Sequence, residues 1–340
     1  MSATFDKTAI ENWMGAHVPG FRGPISVEKF ATGQSNPSFK LTAASGQYVL
    51  RRKPPGQLLK SAHAVDREFR VQQALAETDV PVARMFALCE DEAVIGSMFY
   101  VMEHVPGRTF VDPRVPGLPS EDRATIFGDM NRVLAAIHSV DLSATGLTDY
   151  GPYGNYYHRQ IDRWTKQYRA TETDTLSDMD MLIGWLASHV PEDDGRVTLV
   201  HGDYRIDNLL FAPDRPHCVA VLDWELSTLG HPFADLAAVI MQWGLPTGDV
   251  GRGLAGVDRA PLGIPEDQAF IDAYCQRTGL SGIDGFGFYL AFAYFRMAAI
   301  LQGVKRRALD GNASNPEKAL ELGAYVPAFA KGGLEAAKTV

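Results

Sequence analysis

Hydrophobic and polar positions change rhythm about a third of the way along the chain. In the first hundred residues the apolar positions come in short runs bounded by turn-forming residues, the pattern of strands. Residues 25–31 and 38–42 flank the turn-rich segment GQSNP, and a third run, 47–52, stops at Pro54-Pro55-Gly56. Over 61–78 the spacing is helical: Ala64, Val71 and Leu75 share one face, and Glu68 falls on it too. An acid among apolar neighbours predicts a buried carboxylate with a partner, because acids are seldom buried unpaired. Residues 99–103 read as a further strand, closed by Pro106-Gly107.

Helical spacing dominates the rest. Ser120 is a candidate N-cap for a helix carrying Ile126, Met130, Val133 and Ile137 on one face. The exception is a β-rich island over 197–222. The pattern therefore predicts an α+β fold with two lobes joined near residues 103–107. A small β-rich N-lobe covers 1–103, and a large, mainly helical C-lobe covers 104–340.

Composition narrows the function classes. The 340 residues are 46% hydrophobic and 21% charged, ordinary for a globular chain, and the formal net charge of −9 argues against a nucleic-acid partner. Cys89, Cys218 and Cys275 are far apart, with no metal-ligand spacing or disulfide framework, which favours a reducing, cytoplasmic setting. The start MSATFDKTAIENWM lacks the apolar core of a signal peptide. The most apolar stretch, 286–301, is interrupted by Arg296 and is short for a bilayer, so it reads as a buried helix without membrane insertion.

The candidate chemistry lies in the β-rich island. Two apolar runs, 209–211 and 218–222, are joined by a turn containing Pro213 and Asp214, and so predict a hairpin. Asn208 precedes the first strand and Asp223 follows the second, so both side chains fall at the open end. With Asp203 and Asp207 just upstream, the site is rich in oxygen ligands and suits magnesium. His201-Gly202-Asp203 followed by Asn208 also has the form H-x-D-x-x-x-x-N, a kinase catalytic-loop pattern. By average residue usage the four positions His, Gly, Asp and Asn at this spacing recur by chance in a chain of this length about once in a thousand, too rarely to dismiss.

HGDYRIDN followed by DWE resembles the aminoglycoside-phosphotransferase-like branch of the protein-kinase fold, over residues 25–310. YVLRRKPPG, HAVDREF, FYVMEHVPG, VLDWELSTLG and AAILQGV are similar to one subgroup, the kinase-like domain fused ahead of an acyl-CoA dehydrogenase domain. The resemblance implies a bilobal protein-kinase-like fold that uses ATP and Mg2+ to phosphorylate a hydroxyl of a small molecule. Asp203 is then expected to accept or orient the acceptor hydroxyl, Arg205 to touch the γ-phosphate, and Asn208 and Asp223 to hold magnesium. Arg51 is expected to contact phosphates and pair with Glu68; Arg52 and Lys53 are alternatives for the phosphate contact, although strand alternation turns Arg52 to the opposite face. Gly33, Gln34, Ser35 and Asn36 would cover the phosphates. The backbone at Glu103 and Val105 would meet adenine, and His201 and Asp235 would support the catalytic loop. Two departures stand out: Arg51 replaces the usual Lys, and G-x-G-x-x-G is absent.

The acceptor is less legible. Arg159, Arg163 and Lys166 share one helical face beside Tyr156, Tyr157, Trp164 and Tyr168, and Lys305-Arg306-Arg307 forms a second basic cluster. Aromatic and basic surface, with Arg296, suits an anionic acceptor such as a hydroxyacyl-CoA better than a polycation. Aminoglycoside, sugar and amino-alcohol acceptors remain alternatives, as does a nucleotide-binding pseudokinase acting as a regulatory module. The sequence is silent on oligomeric state.

Overall fold

The computed structural model describes residues 5–30, 36–54, 64–248, 251–313 and 315–340. Its contacts divide the chain into two compact units. The first is not one continuous stretch. It takes the chain up to Thr109, then Asp141–Leu147, then Asn208–Ser227, and the rest forms the second. A single cut at residue 103 therefore differs from the observed division, because the hairpin expected in the C-lobe packs with the N-terminal sheet.

Helix α1 (Lys7–His17) opens the first unit, followed by strands β1 (Ser26–Lys29), β2 (Ser38–Ala43) and β3 (Gly46–Arg52). Helix α2 (Val65–Ala74) and strands β4 (Met85–Cys89) and β5 (Phe99–Glu103) come next. The strands form one antiparallel sheet in the order β1-β2-β3-β5-β4. Period-two alternation gives the sheet two faces. Leu50, Phe99 and Val101 pack with Ile10 and Met14, whereas Tyr100 packs with Val65 and Phe69 of α2. Arg51 stands directly across from Tyr100 on the neighbouring strand, and so shares the α2 face. Arg52 turns the other way, where its Nε donates to Ser97 Oγ at 2.9 Å.

Two elements of the first unit differ from the sequence expectation. Helix α1 buries only Ile10 and Met14, too thin a stripe to stand out as periodic. In β4 every residue but Cys89 is half-buried, so there is no alternation to read.

The second unit contains α3 (Ser120–His138), α4 (Tyr156–Thr171), α5 (Ser177–Ser188) and strand β6 (Thr198–Val200). The hairpin strands β7 (Leu209–Phe211) and β8 (Cys218–Val221) belong to the first unit. Strand β9 (Thr228–Gly230) returns to the second and pairs antiparallel with β6. Helices α6 (Phe233–Trp243), α7 (Asp267–Thr278), α8 (Phe286–Leu309), α9 (Pro316–Gly323) and α10 (Val326–Ala337) complete it. Ile126, Met130, Val133 and Ile137 of α3 are all buried. The cap position falls to Pro119 rather than Ser120, which is the first helical residue.

Helix α8 is longer than the apolar stretch that signals it. At 24 residues it is long and apolar enough to cross a membrane by length and composition. Here it packs against α4, α5, α6, α9 and α10 as the central helix of the unit.

Candidate active site

The first unit gathers an ion-pair cluster around Arg51. Its Nε lies 2.7 Å from Glu68 Oε2, and its Nη2 donates to Asp223 Oδ1 at 2.7 Å. Glu225 is a third acid, 3.9 Å from Nη2. Glu68 is 1% exposed and accepts further bonds from Tyr100 Oη at 3.1 Å and Asn36 Nδ2 at 2.6 Å. Burial alone disfavours the charge on Arg51, but Glu68, Tyr100, Asp223 and Glu225 outweigh it and raise its pKa above the ordinary arginine value. Burial raises the Glu68 carboxyl, against the pull of Arg51.

The hairpin carries Asp223 into this cluster. Leu209 pairs with Val221, and Leu222 N donates to Asn208 O at 2.8 Å, so Asn208 stands opposite Leu222 and Asp223 lies one residue further on. Asp223 has φ +63°, a left-handed conformation that Asp tolerates better than bulkier residues. The hairpin is fastened by the chain that follows β5. Arg108 and Phe211 exchange backbone bonds at 2.9 Å in each direction. A Cβ on Gly107 would lie 2.5 Å from Leu210 Cγ and 2.8 Å from Phe211 O, so only glycine fits.

The second unit holds the loop His201–Asp207. Asp235 anchors its start: Oδ2 accepts from His201 N at 2.6 Å and Oδ1 from Gly202 N at 2.8 Å. Burial would raise the Asp235 carboxyl, but His138, His201 and the backbone N–H groups prevail and hold it below the ordinary carboxylate value. His138 Nε2 lies 3.3 Å from Asp235, and its Nδ1 meets Tyr274 Oη at 2.7 Å. Gly202 has φ +83° and its carbonyl accepts from Arg296 Nη2 at 2.8 Å. His201, Tyr204 and Ile206 are buried, with Tyr204 Oη donating to Met130 O at 2.6 Å. The residues between them, Asp203 and Arg205, are left partly exposed.

Among the described residues no trio of His, Cys, Asp or Glu forms a ready-made metal cluster. The donor set nevertheless fits magnesium. Asp223 offers a carboxylate that is 37% exposed, and magnesium needs only one or two protein oxygens beside substrate phosphates.

The other expected site residues are distributed unevenly. Gly33, Gln34 and Ser35 lie outside the described residues. The Asn36 side chain is fully buried, with its amide on Glu68 rather than facing outward. Glu103 ends β5, where its N donates to Arg84 O at 2.8 Å, and Val105 is half-buried beyond it.

Among the acceptor candidates, Arg159 donates to Tyr153 O at 3.1 Å and Pro152 O at 3.0 Å, and Arg296 lies over Trp164 as well as on Gly202. Arg163 and Lys166 are exposed on α4, which buries Tyr157, Ile161, Trp164 and Tyr168, and the Arg163 guanidinium lies over the Trp164 ring, 5.3 Å from its centroid. In the second basic cluster, Lys305 pairs with Asp174 at 2.7 Å and Arg306 with Asp310 at 3.1 Å. Sequence reasoning missed Tyr100 and Glu225. The alternation of β5 against Arg51 points to the first, whereas nothing in DWE marks Glu225 as facing Arg51.

The model of the family described as "Phosphotransferase enzyme family" matches residues 26–286. The chain belongs to that family. It is a small-molecule phosphotransferase of kinase-like α+β fold. A solved Ralstonia eutropha structure that carries an aminoglycoside phosphotransferase name is 51% identical, covers 98% of each chain and has a TM-score of 0.91. Acyl-CoA dehydrogenase family member 10 of Mus musculus is 48% identical over 307 residues, which is 90% of this phosphotransferase but only 28% of that relative. The phosphotransferase thus spans less than half the length of these curated relatives, 43% in the case of acyl-CoA dehydrogenase family member 11 of Mus musculus. A hygromycin B and ADP complex of aminoglycoside phosphotransferase APH(4)-Ia has a TM-score of 0.64 at 16% identity over 97% of this chain, a likeness of fold.

Proposed function

We propose that this phosphotransferase moves the γ-phosphate of magnesium-bound ATP to a hydroxyl of a hydroxyacyl-CoA. The observation that carries the acceptor is the similarity of nearly the whole chain to part of an acyl-CoA dehydrogenase family member. A phosphorylating region joined to an acyl-CoA dehydrogenase calls for a substrate class that both can use. The exposed Arg163 and Lys166 on α4 support an anionic acceptor, since like charge would repel a polycation.

Asp203 takes the proton of the acceptor hydroxyl as that oxygen bonds to the γ-phosphorus and the bond to the β–γ bridging oxygen breaks, leaving ADP. Arg205 faces the charge on the transferring group. Asn208 and Asp223 would hold magnesium, which would neutralise phosphate charge when bound. Arg51, fixed by Glu68, grips phosphate; as an arginine it stays charged and offers two parallel donors where lysine offers a point charge. Asp235 with His138 and Arg296 keeps the loop in register without touching the reacting atoms.

The test compares ATP consumption with hydroxyacyl-CoA thioesters against kanamycin-type aminoglycosides. The thioesters are expected to show far higher kcat/KM, and charge reversal at Arg163 and Lys166 is expected to raise KM for them. Efficient turnover of kanamycin would overturn the acceptor and leave phosphotransfer standing.

A further inference from the structure

Outside the residues given roles above, one arginine reaches the catalytic loop from a distant part of the chain. Arg252 Nη1 lies 2.9 Å from Asp207 Oδ2, the same oxygen that Arg205 Nη2 approaches at 2.9 Å. Arg205 Nε in turn stands 3.7 Å from Asp203 Oδ1. The four side chains make an alternating string, Asp203–Arg205–Asp207–Arg252, within the second unit.

Three features show that the string is not arranged for stability alone. Asp207 is 9% exposed, yet two guanidinium groups share one of its oxygens while Oδ1 is buried without a hydrogen-bond partner, a costly way to satisfy a carboxylate. Arg205 Nε is likewise buried without a hydrogen-bond partner, so Arg205 is held at one end and has donor capacity to spare. Arg252 itself adopts φ +50°, unusual for a residue with a long side chain, and is held there by its N–H on Gly248 O at 2.9 Å. Strain at Arg252, together with unmet bonds on the loop it reaches, is expected where a site positions a group for a ligand.

A carboxylate oxygen shared by two cations attracts each less completely than one it serves alone. We propose that Arg252 is a positioning residue for phosphotransfer: by sharing Asp207 Oδ2 it stops Arg205 from closing onto Asp207. The Arg205 guanidinium then remains available, beside Asp203, to the phosphoryl group in flight. This rests on the roles given above to Asp203 and Arg205. It adds a specific function for Asp207, which is to hold Arg205 loosely between two partners.

The test needs no acceptor. Affinity is measured by calorimetry for magnesium-ADP and for magnesium-ADP with aluminium fluoride, a planar mimic of the transferring phosphoryl group. Arg252→Ala is expected to weaken binding of the mimic about tenfold, the scale of coupling between contacting residues, with magnesium-ADP affinity unchanged. Arg252→Lys is expected to retain most of the mimic affinity. Asp207→Asn combined with Arg252→Ala is expected to restore it, because the carboxylate that captures Arg205 is gone. The proposal is overturned if Arg252→Ala binds the mimic as tightly as the wild type, or if the double variant is as weak as the single one. Should Arg205→Ala leave mimic affinity intact, the phosphate role of Arg205 fails instead, and the two failures are distinct.

Discussion

Arg51 grips Asp223 as closely as it grips Glu68, at 2.7 Å in both cases. One partner is buried on α2 and the other stands at the mouth of the hairpin, 37% exposed. The guanidinium therefore joins the sheet to the hairpin by charge. Arg51→Met is expected to leave Glu68 buried without its counter-charge and to cost about 3–5 kcal/mol of stability, the usual penalty for breaking a buried pair from one side. Glu68→Gln in the same background is expected to recover much of the loss. Denaturant unfolding of the single and double variants checks this, and additive losses would show that the pair does not act as a unit.

Asp203→Asn is expected to abolish transfer to the true acceptor while leaving magnesium-ATP affinity within about twofold. The reason is chemical: an amide cannot take the hydroxyl proton, whereas the loop geometry set by His201, Tyr204 and Asp235 is untouched. Single-turnover kinetics beside calorimetry separates the two effects. Near-wild-type turnover would remove Asp203 from the role.

Magnesium-ATP affinity is expected to fall further in Asp223→Ala than in Asn208→Ala, since a carboxylate contributes charge that an amide does not. Asp223→Ala also frees one side of Arg51, so its metal-free ADP affinity is expected to hold or rise. Titrations with and without magnesium test both parts. Equal losses in the two variants would contradict the assignment of Asp223 as the main metal ligand.

Asp235→Asn is expected to lower kcat about 100-fold in a folded protein, because a small displacement of a catalytic loop costs that much. An amide has only one oxygen to offer two backbone N–H groups. The pH dependence has a definite sign. The Asp235 carboxyl is held below its unfolded value, about 3.9, so its contribution to stability is full above that pH and is lost as pH falls through the depressed folded value. The stability gap between wild type and Asp235→Asn is expected to be constant at neutral pH and to narrow below about pH 4, as thermal melts across pH would show.

The parts of the site legible in the sequence are those fixed by local rules. Helical spacing suffices to put Glu68 on a buried face, while its pairing with Arg51 comes from the family resemblance, and the hairpin length suffices to bring Asn208 and Asp223 to its open end. Partners supplied from afar are not legible. No pattern near Asp207 points to Arg252, 45 residues later in the sequence. The apparent basic face of α4 illustrates the opposite error. Spacing groups Arg159, Arg163 and Lys166, but Arg159 spends its donors on the carbonyls of Pro152 and Tyr153, a use that helical periodicity does not encode.

The discontinuous first unit also limits how such a protein can be divided. A gene fragment ending at residue 109 would encode Arg51 and Glu68 but not Asp223, which enters the same unit from the middle of the chain. Recombination that swapped only this fragment between relatives would pair one parent's arginine with the other parent's carboxylate. The match to the mouse relative runs over 307 residues, 90% of the chain, and so is far longer than such a fragment. The smallest continuous stretch that keeps Arg51 with Glu68 and Asp223 runs from residue 51 to residue 223 and cuts through both units, so fusion of the chain to another enzyme is a simpler route to new function than exchange of its units.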